Sequence, residues 1–158
     1  MYGARPEQRI PAAKQEQIAM DLRSAGIQVT VSDDVRRDTF IKWGFISAMA
    51  CTGAYFDCAM EKLQRPGEER QMFCGLIRES YAIGCKLGIP MPGDYMVQNL
   101  SLIDHCKPET TTSMQKDLSN KHESEIEGML FKMADYGRKL GVDIPTYSKV
   151  CEKFNAYR

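Results

Sequence analysis

Several kinds of signal are scarce in this sequence of 158 residues, and each shortage removes a class of function. No apolar run approaches the roughly 20 residues needed to span a bilayer. Met1 opens a polar, proline-containing stretch rather than a signal peptide. Neither charge sign is in excess, with 21 Lys plus Arg against 21 Asp plus Glu, so nothing electrostatic points to nucleic acid or an anionic membrane. The six cysteines form no C-x-x-C pair, and His105 and His122 are the only histidines, so no metal site is expected. Most of the cysteines sit in helical apolar surroundings where a reduced thiol acts as a small hydrophobe, which predicts a reducing, cytoplasmic setting. No two glycines stand two apart, so the chain has no dinucleotide fingerprint and no phosphate-cradling loop. Strand signals are limited to one stretch.

What remains is helical. Apolar residues make up 43% of the chain and charged residues 27%, a composition that supports one domain with a real core. Residues 11–25 read as a short helix with Ile18 and Leu22 inward, closed by Gly26. IQVTV at 27–31 then alternates like a half-buried strand. A helix over 34–50 follows, capped by Ser32 or Asp33, almost wholly apolar after Asp38, with a break expected at Thr52-Gly53. Shorter helical patterns run from Tyr55 to Leu63, from Pro66-Gly67 to Leu87, from about 93 to 106, and from about 146 to 157.

The most informative stretch is 112–145. Ile126, Met129, Leu130, Met133, Gly137 and Leu140 recur at three- and four-residue steps and form one helical face. Asn120 is the expected N-cap, with Glu123 completing a capping box; Gly141 suits a left-handed C-cap, and Pro145 stops the helix. Three residues stand out chemically. Lys42 lies in the middle of the apolar run of the 34–50 helix. Its plain reading is a snorkelling side chain; the functional one is a partly desolvated proton donor. Glu125 reads plainly as a solvated first-turn carboxylate, and Ser113 as the N-cap of the turn at 114–118 with Asp117 as a solvated partner.

Together these residues resemble a known family. F-I-K at 40–42, T-S-M-x-x-D-L at 112–118, S-E-I-E at 124–127 and a helix ending in G-V-D-I-P are similar to the W-x-K, S-S-M-x-x-D, T-E-I-D and G-I-x-x-P pattern of the ketopantoate reductases (2-dehydropantoate 2-reductases). The resemblance covers nearly all of 30–155. It implies a mainly α, multi-helical domain of the 6-phosphogluconate dehydrogenase C-terminal type at 33–158, with a short α–β remnant at 1–32 that belongs to the end of an N-terminal Rossmann domain. It further implies NADPH bound mainly by that missing Rossmann domain, a small 2-keto acid as substrate, and a second copy of the chain as a candidate partner. Lys42 becomes the general acid, Ser113 a hydrogen-bond donor to the keto acid, and Glu125 the residue that orients the lysine or meets the cofactor side.

The chain also departs from the family. Ile46 and Ala50 stand where the best-known members carry asparagines, and Leu130-Phe131 replaces an Asn-Gly pair. A pocket more apolar than the prototype's is expected. A reading from another class is a non-catalytic helical binding or dimerisation module. The apolar replacements favour it, and the joint presence of Lys42, Ser113 and Glu125 opposes it.

Overall fold

The computed structural model describes residues 1–4, 8 and 10–158. Its elements are α1 (Ala12–Ser24), α2 (Val35–Phe56), α3 (Met60–Leu63), α4 (Glu68–Lys86), α5 (Tyr95–Asp104), α6 (Ser113–Ser119), a π-helical turn (Glu127–Phe131), α7 (Lys132–Leu140) and α8 (Pro145–Lys153), with a closing 3₁₀ turn at Asn155–Tyr157. The mainly helical expectation therefore holds. The chain divides into two compact units, Met1–Ile41 and Lys42–Arg158, and α2 is common to both.

In the first unit the expected strand at 27–31 does not form. Among the described residues its one pairing is an isolated parallel bridge between Tyr2 and Val31, made by Tyr2 N–H to Thr30 O (2.9 Å) and Ser32 N–H to Tyr2 O (2.7 Å). Alternation alone cannot make a strand without a neighbour to take up its backbone groups, and Ile27 stays 51% exposed. In α1, Ala19 is fully buried while Ile18 and Leu22 are only half-covered. Neither Ser32 nor Asp33 caps α2; the Asp34 carboxylate accepts the Arg37 N–H at 3.0 Å, and Ser32 instead donates to Asp38 at 2.6 Å. That hydroxyl, with help from the Arg37 guanidinium, holds the Asp38 carboxyl below its usual range.

In the second unit α4 packs against α3, α5, α7 and α8, and buries Phe73, Leu76, Ile77 and Ile83 completely. Each such side chain contributes on the order of 1.5–3 kcal/mol by leaving water. Buried Glu79 reaches from α4 to the start of α8, accepting the N–H groups of Thr146 (2.7 Å) and Tyr147 (2.8 Å). It thereby serves two of the donors that every helix start leaves unpaired. Burial pushes its carboxyl up, and these bonds oppose the shift.

Two local expectations fail for reasons of packing. The break at Thr52-Gly53 is absent, and α2 continues to Phe56. Gly53 marks a close approach: a Cβ there would lie 2.3 Å from Gln115 Oε1. Asn120 ends α6 instead of starting the next helix, and Thr112, rather than Ser113, is the N-cap of α6 in a capping box with Gln115. The end of α7 is as expected, with Gly141 left-handed (φ 65°) as C-cap and Pro145 in the first turn of α8.

Candidate functional site

Within the second unit, the stripes of α2 from Lys42 onward have different neighbours. Gly44 faces α4 and α5: a Cβ there would lie 2.3 Å from the Tyr95 hydroxyl and 3.1 Å from Ser80 Oγ. Phe45 meets Phe73 of α4 edge to face, with centroids 6.3 Å apart. Trp43 and Ser47, one turn apart, face the π-helical turn. The Trp43 indole donates to Gly128 O (3.1 Å), and Ser47 Oγ donates to Met129 O (2.5 Å). Ser47 has one proton, so the 2.9 Å contact with buried Tyr147 makes the tyrosine the donor. Burial raises the Tyr147 hydroxyl well above its ordinary value, which keeps that proton in place.

The π-helical turn explains why the expected face of 126–140 is only partly right. A turn with i→i+5 bonding admits one extra residue, and such turns are frequent at functional sites. The insertion brings Leu130 and Phe131 inward together, followed by Met133 and Ala134, while Met129 and Leu140 remain half-exposed. Sequence reading missed the turn and the roles of Trp43 and Ser47. The pattern offered no signal for the turn, since adjacent apolar pairs three residues apart also occur on an uninterrupted helical face.

The remaining stripe of α2 carries Lys42, which is exposed, and whose ammonium makes no hydrogen bond or ion pair with another described residue. Glu125 is also exposed, in the turn ahead of Ile126, and its carbonyl accepts the Met129 N–H at 2.9 Å. The Trp43 bond to Gly128 thus ties the residue after Lys42 to a turn that starts two residues beyond Glu125. Ser113 is exposed at the first position of α6. Two residues on, Gln115 docks on Gly53 and donates to Cys58 O (3.0 Å), so α6 is anchored at the far end of α2. His122 is exposed and belongs to none of these contacts.

Other chemistries find no support among the described residues. No group of three or more His, Cys, Asp or Glu is arranged to hold a metal ion. All six cysteines are free, and burial pushes the thiols of Cys51 to about 12 and Cys58 to about 11, too high for thiolate nucleophiles. No helix is long and apolar enough to cross a membrane.

Comparison with known proteins places these features in context. A family model described as "Ketopantoate reductase PanE/ApbA C terminal" matches residues 34–158. A 2-dehydropantoate 2-reductase of Mesorhizobium japonicum is 27% identical over 139 residues, which are 84% of this chain and 40% of that protein. The chain therefore spans less than half the length of this curated relative. A dimeric ketopantoate reductase from Staphylococcus aureus superposes with a TM-score of 0.80 at 15% identity, covering 94% of this chain and 51% of the other. A D-mandelate dehydrogenase with NADH and anilino(oxo)acetate gives 0.78 at 18% identity, covering 93% and 63%. At these identities the two structures establish the fold.

Proposed function

We propose a function from one premise: this chain belongs to the ketopantoate reductase family and carries its C-terminal helical domain. On that premise it is the substrate-binding and catalytic half of an NADPH-dependent reductase of small 2-keto acids. The observation that carries this reading is the site of Lys42. It is an exposed lysine on an otherwise apolar stretch of α2, beside a tryptophan bonded to the turn that follows Glu125.

Reduction of a 2-keto acid adds a hydride to the carbonyl carbon and a proton to its oxygen. A reduced nicotinamide supplies the hydride when bound. The residues of this chain do not fit the dinucleotide's pyrophosphate, because no two glycines stand two apart to let a backbone turn close around it. That task is assigned to a nucleotide-binding half. For these residues the tasks left are the proton and the negative charges. The Lys42 ammonium is set to stabilise the oxygen that becomes an alkoxide and to give it a proton. The Ser113 hydroxyl donates to the substrate's carboxylate or carbonyl. Glu125 balances the lysine's charge and fixes its direction.

The relatives support the class of reaction: one is a 2-dehydropantoate 2-reductase, another a D-mandelate dehydrogenase with NADH. The dimeric relative supports a second copy as partner. Six free thiols suit a reducing cytoplasm.

The test is to join the chain to a nucleotide-binding half and follow NADPH oxidation with a panel of 2-keto acids. The joined protein is expected to turn over at least one of them, and the 158-residue chain alone to bind no NADPH by calorimetry. Micromolar NADPH binding by the chain alone overturns the assignment of the cofactor to another half, and no turnover after joining overturns the reading in favour of a helical binding module.

A further inference from the structure

The stripe of α2 that begins at Lys42 continues through Ile46 and Met49 to Gly53, in steps of four, three and four residues. Its ends are polar. Lys42 is exposed at one, and Gln115 lies on Gly53 at the other, with Ser113 exposed two residues earlier. Helical rise sets about 16 Å between the Lys42 and Gly53 backbones, room for a small acid lying lengthwise with the lysine side chain over it. The stripes on either side are engaged, Phe45 with Phe73 and Trp43 with Gly128. Ile46 and Met49 are the half-exposed residues left between the two polar ends.

We propose that Ile46 and Met49 form the floor of the substrate site, and that this floor selects 2-keto acids with a purely apolar, branched or aromatic side chain over hydroxylated ones. The inference rests on the reading of Lys42 and Ser113 given above and names the substrate class for that site. A hydroxyl laid on Ile46 and Met49 gives up its water and gains no hydrogen bond from the floor; a methyl or phenyl group gives up only its apolar hydration. The unbranched, polarisable thioether of Met49 adapts to either a branched or a flat group.

Trimethylpyruvate and ketopantoate differ by one hydroxyl and make a clean pair; phenylglyoxylate adds a flat aromatic. Each is titrated into the 158-residue chain carrying ¹³C labels on the Ile and Met methyls, with backbone amides followed in parallel. Trimethylpyruvate and phenylglyoxylate are expected to shift the Ile46 and Met49 methyl signals, with ketopantoate needing about tenfold higher concentration, the usual effect of one unpaired hydroxyl. Ile46→Asn should erase that difference, while Ile46→Ala, which adds no polar group, should keep it. Equal or tighter binding of ketopantoate by the unsubstituted chain overturns the substrate class and leaves the reductase reading standing. So do amide shifts around Lys42 and Ser113 with both methyls unmoved. A chain in which no acid perturbs any signal of α2 or α6 overturns the reductase site itself, and this inference with it.

Discussion

The two sides of α2 belong to one helix and do different things. On the inner side Gly44 lets the Tyr95 hydroxyl approach the backbone, and Ser47 passes a hydrogen bond from Tyr147 to Met129 O. On the outer side Lys42, Ile46 and Met49 are at least partly open. Inner residues are explained by the contacts they make. Lys42 is not, since no described partner holds its ammonium. A helix whose inner side answers to packing and whose outer side does not should separate under mutation: inner changes cost stability, outer changes cost chemistry.

The sharpest break is Lys42→Ala. In the protein joined to a nucleotide-binding half, kcat is expected to fall by roughly 10²–10⁴, the worth of a positioned general acid. Stability should stay within about 0.5 kcal/mol, because an exposed side chain is lost. Lys42→Arg should recover little, since a guanidinium keeps the charge and does not release its proton. Equal turnover in Lys42→Ala would dissolve the distinction between the two sides.

Next in size is Gly44→Val on the inner side. A Cβ placed 2.3 Å from the Tyr95 hydroxyl forces a rigid ring to move. A loss of about 3 kcal/mol in urea unfolding is expected, the upper end for overpacking. Ser47→Ala should cost about 1–3 kcal/mol by the same measurement, because it leaves the buried Tyr147 hydroxyl without its acceptor.

The smallest effect joins the two sides. Trp43→Phe keeps an aromatic ring and removes the N–H that reaches Gly128 O. A loss of about 0.5–1.5 kcal/mol is expected. Hydrogen exchange should quicken in the π-helical turn and leave the α4 core unchanged. If Glu125 is placed through this bond, kcat in the joined enzyme drops more than KM rises; unchanged kcat would make Trp43 a matter of stability alone.

By itself the sequence determined most of the helices and some of their ends. Gly141 and Pro145 act through their own backbone limits, so the end of α7 and the start of α8 are readable from two letters. Lys42, Ser113 and Glu125 stood out as residue types in unusual company, and the motifs around them resembled those of the family whose model matches 34–158. Tertiary structure decided the rest. Whether Gly53 breaks α2 depends on Gln115, which lies 62 residues away along the chain by subtraction. Whether 27–31 is a strand depends on a neighbour, and Tyr2 supplies a single bridge. The π-helical turn, the bonds of Trp43 and Ser47 to Gly128 and Met129, and the open stripe of Lys42, Ile46 and Met49 are likewise settled by which surfaces meet. Local sequence limits backbone angles and periodicity. Shape and hydrogen-bond complementarity between distant segments choose the partners, and no short window of sequence contains both halves of such a pair.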